Sequence, residues 1–535
     1  MNGAHALLRT LVDSGVDVCF MNPGTSEIHF VHALDAVPEL RGVLTLFEGV
    51  ATGAADGYAR IAQRPASVLL HLGPGLGNGL ANLHNAWRAG TPMVALVGTH
   101  ATWHERYDAP LQSDIRPIAG TVSGWMRTTG HPRDLARDAA SAVAAARGPA
   151  GRIATLVVPA DVAWSEGVVS APPREARTPE PVREAGLEAV TTTLRDDAER
   201  PLLLLGGAAL GERGLRAAGR LRSATGATVL VERFPARMRG GADVPAFPRV
   251  AYPPAAAAQQ LTGHDRIVLA GADWPVTFFA YPEHPGDLVP PDCEVDVLAE
   301  PDQDVVAALE TLADRLAPGH RPVGAAWSAR PMPTSGLLGV ANFAGAVAAA
   351  LPENAIVVDE ANTAGSGLPQ AFARGPAHDL LTVTGGAIGQ GLPVATGAAL
   401  AAPDRPVVLL EADGSAMYTI QALWTQAREG LDVTTVVINN GAYAVLQSEL
   451  DGVGRPGRRA REMLALQRPG LDFTALAAGT GVQAVRVRTA EELTTALRRA
   501  VSEPGPQLIE AFIAPTPAAA TSMPSPTSQR TTDGS

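Results

Sequence analysis

Three doubly wound α/β domains are the architecture that this sequence predicts, and three observations predict it. At 535 residues the chain is too long for one hydrophobic core. Hydrophobic residues make up 46% and aromatics only 4%, so the cores must be built mainly from Ala, Val and Leu, as in parallel sheets covered by helices. Short apolar runs alternate with stretches of helical length along the chain, which is the pattern of parallel strands joined by crossover helices.

The runs fall into three sets. VDVCF, GVLTLF, SVLLHL, PMVALVG and ATLVVP place a first domain over residues 1–170. The Pro- and charge-rich stretch SAPPREARTPEPVREAG at 170–186 reads as a linker. PLLLLGG, ATVLVERF, DRIVLAGAD and EVDVLAE place a central domain over 186–318, and a second Pro-rich stretch spans 317–336. AIVVDE, LLTVTGG, PVVLLEADG, VTTVVINN and PQLIEAFI place a third domain over 336–515. Residues 516–535 hold few bulky apolar groups and are expected to be a disordered tail.

Composition excludes several function classes. All 42 basic residues are Arg, so a Schiff-base lysine, a pyridoxal-phosphate lysine and a P-loop lysine are ruled out together. The net charge of −12 and the scattered arginines speak against nucleic acid as a partner. The start, MNGAHALLRTLVDSGVDVCF, has no basic segment followed by an apolar stretch, and no run of about 18 apolar residues occurs anywhere. With only Cys19 and Cys293 as thiols, a cytoplasmic protein without a membrane partner is expected.

Ligands of doubly wound sheets bind at the carboxyl ends of strands, so residues just after the apolar runs carry the functional signal. PVVLLE leads into Ala412, Asp413, Gly414 and Ser415, and VTTVVI leads into Asn439 and Asn440. Asp413 and Asn440 stand 27 positions apart, each at the end of a strand, and a carboxylate with an amide oxygen suits Mg²⁺. Taken singly, an Asp-Gly pair is usually a turn and Asn-Asn-Gly usually a loop. Glu48 closes GVLTLF and opens the helical stretch GVATGAADGYAR, where an acid also simply favours the helix dipole. Gly73, Gly75 and Gly77 after SVLLHL suggest a dinucleotide turn, but they lack the G-x-G-x-x-G spacing, which argues against a nicotinamide dehydrogenase.

At this spacing the pair resembles the diphosphate-binding motif of thiamine-diphosphate enzymes, GDG followed by NN, with Ala412 in place of the first glycine. FEGVATGAADGYAR is similar to the family's sequence around its catalytic glutamate. NPGTSE at 22–27, HLGPGLGN at 71–78, VDEANTAGSG at 358–367, GGAIGQGLPVATG at 385–397 and EADGSAMYTIQALWT at 411–425 have counterparts in the same order. The resemblance is to the decarboxylase and acetolactate synthase superfamily, nearest to benzoylformate decarboxylase and acetolactate-synthase-like large subunits.

That resemblance implies thiamine diphosphate and Mg²⁺ as cofactors, with no flavin expected because the central domain shows no clear flavin signature. It implies Asp413, the Asn440 side chain and the Ala442 carbonyl as metal ligands. It implies Asn362, Thr363, Gly414, Ser415 and Tyr443 around the diphosphate, Gly385 and Gly386 as acceptors from the aminopyrimidine, and Ile388 as the apolar prop under the bent cofactor. Glu48 would hydrogen-bond the pyrimidine ring, and His71 and Thr25 would face the substrate. The implied reaction is decarboxylation of a 2-oxo acid through an enamine. Carboligation is favoured slightly over aldehyde release, in a homodimer or homotetramer. A non-catalytic paralogue is the rival reading, and the presence of Glu48, Asp413 and Asn440 argues against it.

The chain departs from the benzoylformate pattern at three places. Tyr281 stands where a second histidine is expected, with His284 three residues on. Leu381 and Glu449 stand at expected aromatic positions of the substrate pocket, which points to a small aliphatic or polar substrate with pyruvate first.

Overall fold

The computed structural model describes residues 1–197, 199–280, 282, 285–322 and 332–513. Tyr281, His284 and the expected tail at 516–535 lie outside the described residues. Three α/β domains with parallel sheets are present, as expected.

The first sheet contains β1 (Val18–Met21), β2 (Arg41–Leu44), β3 (Ala66–Leu70), β4 (Met93–Thr99), β5 (Trp125–Thr128) and β6 (Ile153–Pro159). They run parallel in the order β2-β1-β3-β4-β6-β5. Every residue of β3, β4 and β6 is buried, because helices cover both faces, and the apolar runs are continuous for that reason. The second sheet, in the order β11-β10-β7-β8, is built from β7 (Pro201–Leu205) and β8 (Thr228–Val231) with β10 (Arg266–Ala270) and β11 (Glu294–Ala299). Between them β9 (Met238–Gly240) leaves this sheet and joins the third.

The third sheet adds β12 (Ala355–Glu360), β13 (His378–Thr382), β14 (Val407–Ala412), β15 (Val433–Asn439), β16 (Gln483–Val487) and β17 (Gln507–Phe512) to β9, in the order β16-β17-β15-β14-β12-β13-β9. β9 pairs antiparallel with β13, so this otherwise parallel sheet is mixed at one edge. Its carboxyl-edge loops, at Glu360, Ala412 and Asn439, face one region.

The first and third domains meet through two helices, Glu48–Ala62 and Gly391–Ala401. Gly391 through Ala399 are all buried, as expected for a helix that is apolar on every side. A buried polar network fixes the contact: Arg60 pairs with Asp56 at 2.5 Å and donates to the Thr382 carbonyl at 3.0 Å and Thr384 Oγ1 at 3.1 Å. Gln390 Nε2 donates to Asp56 Oδ2 at 2.8 Å. Removing one member of such a buried set strands the rest without partners, so the first domain is locked onto residues 382–390.

Candidate active site

The first-domain half of the site lies at the ends of β1 and β3. Chain reversal after β1 forms a short turn, Thr25–Glu27, that carries the Glu27 carboxylate to within 2.7 Å of His71 Nδ1. Gly24 N donates to the same oxygen at 3.2 Å. Burial raises the Glu27 pKa above the ordinary carboxylate range, and the His71 ring partly opposes that rise. Thr25 is exposed in this turn, beside the pair. Glu48, 6% exposed, accepts from Asn78 Nδ2 at 3.0 Å. Gly75 separates the two expected catalytic groups: a side chain there would sit 3.2 Å from His71 Cβ and 3.3 Å from Glu48 Oε1. The structure therefore brings Glu48, His71 and Thr25 together and adds Glu27.

The third-domain half lies between β14 and β15, which pair through Ala412 and Ile438. Asp413 follows β14 and is 1% exposed. Its Oδ1 accepts from Gly414 N at 2.8 Å, and its Oδ2 accepts from Asn440 N at 3.1 Å and Gly441 N at 2.7 Å. Burial raises its pKa, and those backbone N–H groups pull it back. Asn440 Oδ1 accepts from Ala442 N at 2.9 Å, which leaves its second lone pair for a ligand. Asn362 Nδ2 donates to Ser415 Oγ at 3.1 Å, so the turn carrying Asn362 and Thr363 meets the turn carrying Asp413. Ala412 has φ −77° and ψ 147°, a conformation open to any residue, so the turn does not need the family's first glycine. The second glycine is needed, because the Tyr443 ring occupies the space where a side chain at Gly414 would stand.

The loop carrying Gly385, Gly386 and Ile388 joins the halves. Gly389, at φ +88°, is bound from three directions: its N–H donates to Glu360 Oε1 at 2.7 Å, and its carbonyl accepts from Asn82 Nδ2 at 3.3 Å and Thr419 Oγ1 at 2.9 Å. Asn82 Nδ2 also donates to the Gly49 carbonyl at 2.8 Å, beside Glu48. Asn85 clasps Ala387 through its carbonyl at 2.8 Å and its N–H at 3.1 Å. Asn78, Asn82 and Asn85 thus form one face of the Leu72–Arg88 helix, and their four- and three-residue spacing was the sequence signal that could have found them.

Sequence reasoning also missed two acids. Glu360 ends β12 and Glu411 stands one residue before the end of β14; they lie opposite each other in register and are 1% and 0% exposed. Burial pushes Glu360 up to about 7, and burial together with Glu360 pushes Glu411 well above the usual range. A charge closing a fully apolar run, as in AIVVDE and PVVLLE, was the available signal.

One pocket assignment is corrected. Leu381 is fully buried in a cluster with Val50 of the first domain and Val358 and Leu392 of the third, because β13 is covered on both faces. The aromatic surface comes instead from the central domain. The Phe278 ring packs onto Gly386, with the rings of Phe234, Tyr252 and Phe279 at 5.5, 5.6 and 4.8 Å from it. Glu449, on the Ala444–Val453 helix, approaches Tyr252 closely enough to raise its pKa, an effect second to burial.

Residues 1–118 match the family model for the N-terminal TPP binding domain of thiamine pyrophosphate enzymes, and residues 365–511 match that for the C-terminal TPP binding domain. A Mycobacterium tuberculosis protein provisionally named acetolactate synthase large subunit IlvX is 58% identical over 96% of this chain and 99% of its own. Benzoylformate decarboxylase of Pseudomonas aeruginosa is 31% identical over 93% of this chain and 96% of its own. The solved 4-hydroxybenzoylformate decarboxylase of Rhodococcus jostii RHA1, which is thiamine diphosphate-dependent, superposes with a TM-score of 0.83 at 27% identity, covering 96% of this chain and 99% of that one. With both half-sites in place and this similarity over nearly its whole length, the chain belongs to the thiamine-pyrophosphate enzymes, in the family of acetolactate synthases and benzoylformate decarboxylases.

Proposed function

We propose that this protein is a thiamine-diphosphate- and Mg²⁺-dependent enzyme that decarboxylates a small aliphatic or polar 2-oxo acid and joins the remaining fragment to a second carbonyl compound. The observation that carries this reading is the Asp413 carboxylate set against the Asn440–Ala442 loop. Carboxylate, amide oxygen and a backbone carbonyl form an all-oxygen donor set, which fits a hard divalent cation holding a diphosphate. Asn362, Thr363 and Ser415 stand on the turns beside that place, and the Tyr443 ring packs against Gly414.

When bound, thiamine diphosphate supplies the nucleophilic carbon and the electron sink that carbon dioxide release requires. Glu48 holds a proton at the pyrimidine ring, and Asn78 fixes the carboxylate that does so. Gly385 and Gly386 would offer backbone carbonyls to the cofactor's amino group, and Ile388 would pack against it as an apolar support. His71, oriented by Glu27, moves protons at the substrate, with Thr25 beside it. Similarity to the protein provisionally named acetolactate synthase supports carboligation. The second reading, aldehyde release in the manner of benzoylformate decarboxylase, is favoured by the intact Glu27–His71 pair, which equips the site for protonation.

We also propose a homodimer or homotetramer, supported by the exposed apolar side chains of Trp274, Val276 and Phe279 on one segment. A cytoplasmic location is supported by two free cysteines. The deciding experiment incubates the holoenzyme with a panel of 2-oxo acids, with and without an aldehyde or second 2-oxo acid, and identifies products by mass. Acetolactate or an acyloin from pyruvate is expected. Free acetaldehyde as the sole product would replace carboligation with simple decarboxylation.

A further inference from the structure

An arginine stands unpaired behind the aromatic surface over Gly386. The Arg233 guanidinium carbon lies 5.3 Å from the Phe234 ring and 5.7 Å from the Tyr252 ring, and both of those rings touch Phe278, which covers Gly386. Arg233 is therefore two ring contacts from the cofactor loop. It is half-buried, and among the described residues it has neither a hydrogen bond nor an ion pair; its Nε is buried without a partner.

Charge around it does not balance. Arg249 lies beside it and has its own buried Nε without a partner. Among the described residues Asp359 is set against this pair, at 3.8 Å from Arg249 and already accepting from Ala361 N, while the Glu449 carboxylate acts on Tyr252. Desolvation, followed by repulsion from Arg249, pushes Arg233 down to about 10. A guanidinium removed from water without an anion costs free energy that stacking on two rings offsets only in part. An incoming carboxylate would recover that cost through a forked pair of charged hydrogen bonds, which is the geometry guanidinium groups favour.

We infer that Arg233, walled by Phe234 and Tyr252, is the binding site for a second carboxylate on the side chain of the substrate, so that the enzyme selects 2-oxo dicarboxylic acids over 2-oxo monocarboxylic acids. The inference rests on the 2-oxo acid reading above and narrows its polar class. The Phe234 and Tyr252 rings offer an apolar wall to the methylene groups, and Arg233 stacked on them supplies the charge.

The test has a binding arm and a kinetic arm. In the first, the holoenzyme is titrated calorimetrically with glutarate, butyrate and inorganic phosphate, none of which has a 2-oxo group to react. Glutarate is expected to bind about 10- to 100-fold more tightly than butyrate, as a charged hydrogen-bonded pair implies. Arg233→Met should abolish that difference and Arg233→Lys should keep part of it, with thermal melts showing that both variants fold. In the second, the ratio of kcat/KM for 2-oxoglutarate to that for pyruvate should fall by a similar factor in Arg233→Met. Equal binding of glutarate and butyrate by the wild type, or a glutarate preference that survives Arg233→Met, would overturn the site. Arg233-dependent binding of phosphate without glutarate would overturn the carboxylate assignment. If no 2-oxo acid is consumed, the reaction reading fails while the glutarate titration still decides Arg233.

Discussion

Glu27 Oε2 lies 2.7 Å from His71 Nδ1, although 44 positions separate the two residues in sequence. The two follow neighbouring parallel strands, and among the described residues the second carboxylate oxygen, Oε1, is buried without a partner. A carboxylate on Nδ1 makes that nitrogen the donor, fixes the ring and leaves Nε2 for exchange with substrate. In the proposed mechanism Glu27 is a positioning residue that acts through His71.

Glu27→Gln should lower kcat by between about 10- and about 100-fold, part of the roughly 10²–10⁴ that a general acid–base step contributes. The loss should appear in kcat with little change in the affinity for thiamine diphosphate, because Glu27 touches neither Asp413 nor Asn440. Steady-state kinetics beside a cofactor titration check this. A variant with full kcat would detach Glu27 from His71's work.

Glu48→Gln should still bind the cofactor, since Asn78 can pair with an amide oxygen as well as a carboxylate. Exchange of the thiazolium C2 proton should nevertheless slow by about 10²- to 10⁴-fold. Nuclear magnetic resonance of quenched exchange samples reads it directly, and wild-type exchange would remove Glu48 from the mechanism.

Stability should carry a pH signature from Glu360. Its folded pKa of about 7 lies above the ordinary value of 4.5, so the folded state holds the proton more tightly than the unfolded chain does. The resulting stability is fully present below about 4.5 and is lost as pH rises through about 7. Thermal unfolding of the apo protein should therefore soften between pH 5 and pH 8. Glu360→Gln, which has no proton to lose, should flatten that slope even though it weakens the bonds to Gly389 and Gly391. An unchanged slope would contradict the assignment.

What the sequence made legible follows from where each signal resides. Asp413 and Asn440 could be read because both directly follow largely buried, mostly apolar strands that lie side by side, so one-dimensional spacing translates into proximity. Glu27 could not, because its partner is fixed by the pairing of β1 with β3, and nothing in NPGTSE names a histidine 44 residues on. β5 and β16 escaped because they are edge strands with half-buried or exposed side chains, and so carry no apolar run. β9 escaped because three residues crossing between domains leave no periodicity. Leu381 misled because strand position was inferred by family alignment, whereas its side chain turns into the core. Phe278 lay in plain view beside Tyr281, but its role depends on a contact with Gly386, over a hundred residues away.

The central claim is that Asp413 and Asn440 hold a divalent cation and, through it, thiamine diphosphate. Calorimetric titration of the apo protein with thiamine diphosphate, with Mg²⁺ and again with the metal chelated, tests it most directly. The prediction is saturable binding that requires Mg²⁺ and is abolished in Asp413→Ala, because cation and diphosphate would then meet without the protein carboxylate. Binding of equal strength without Mg²⁺, or undiminished binding in Asp413→Ala, would contradict the account.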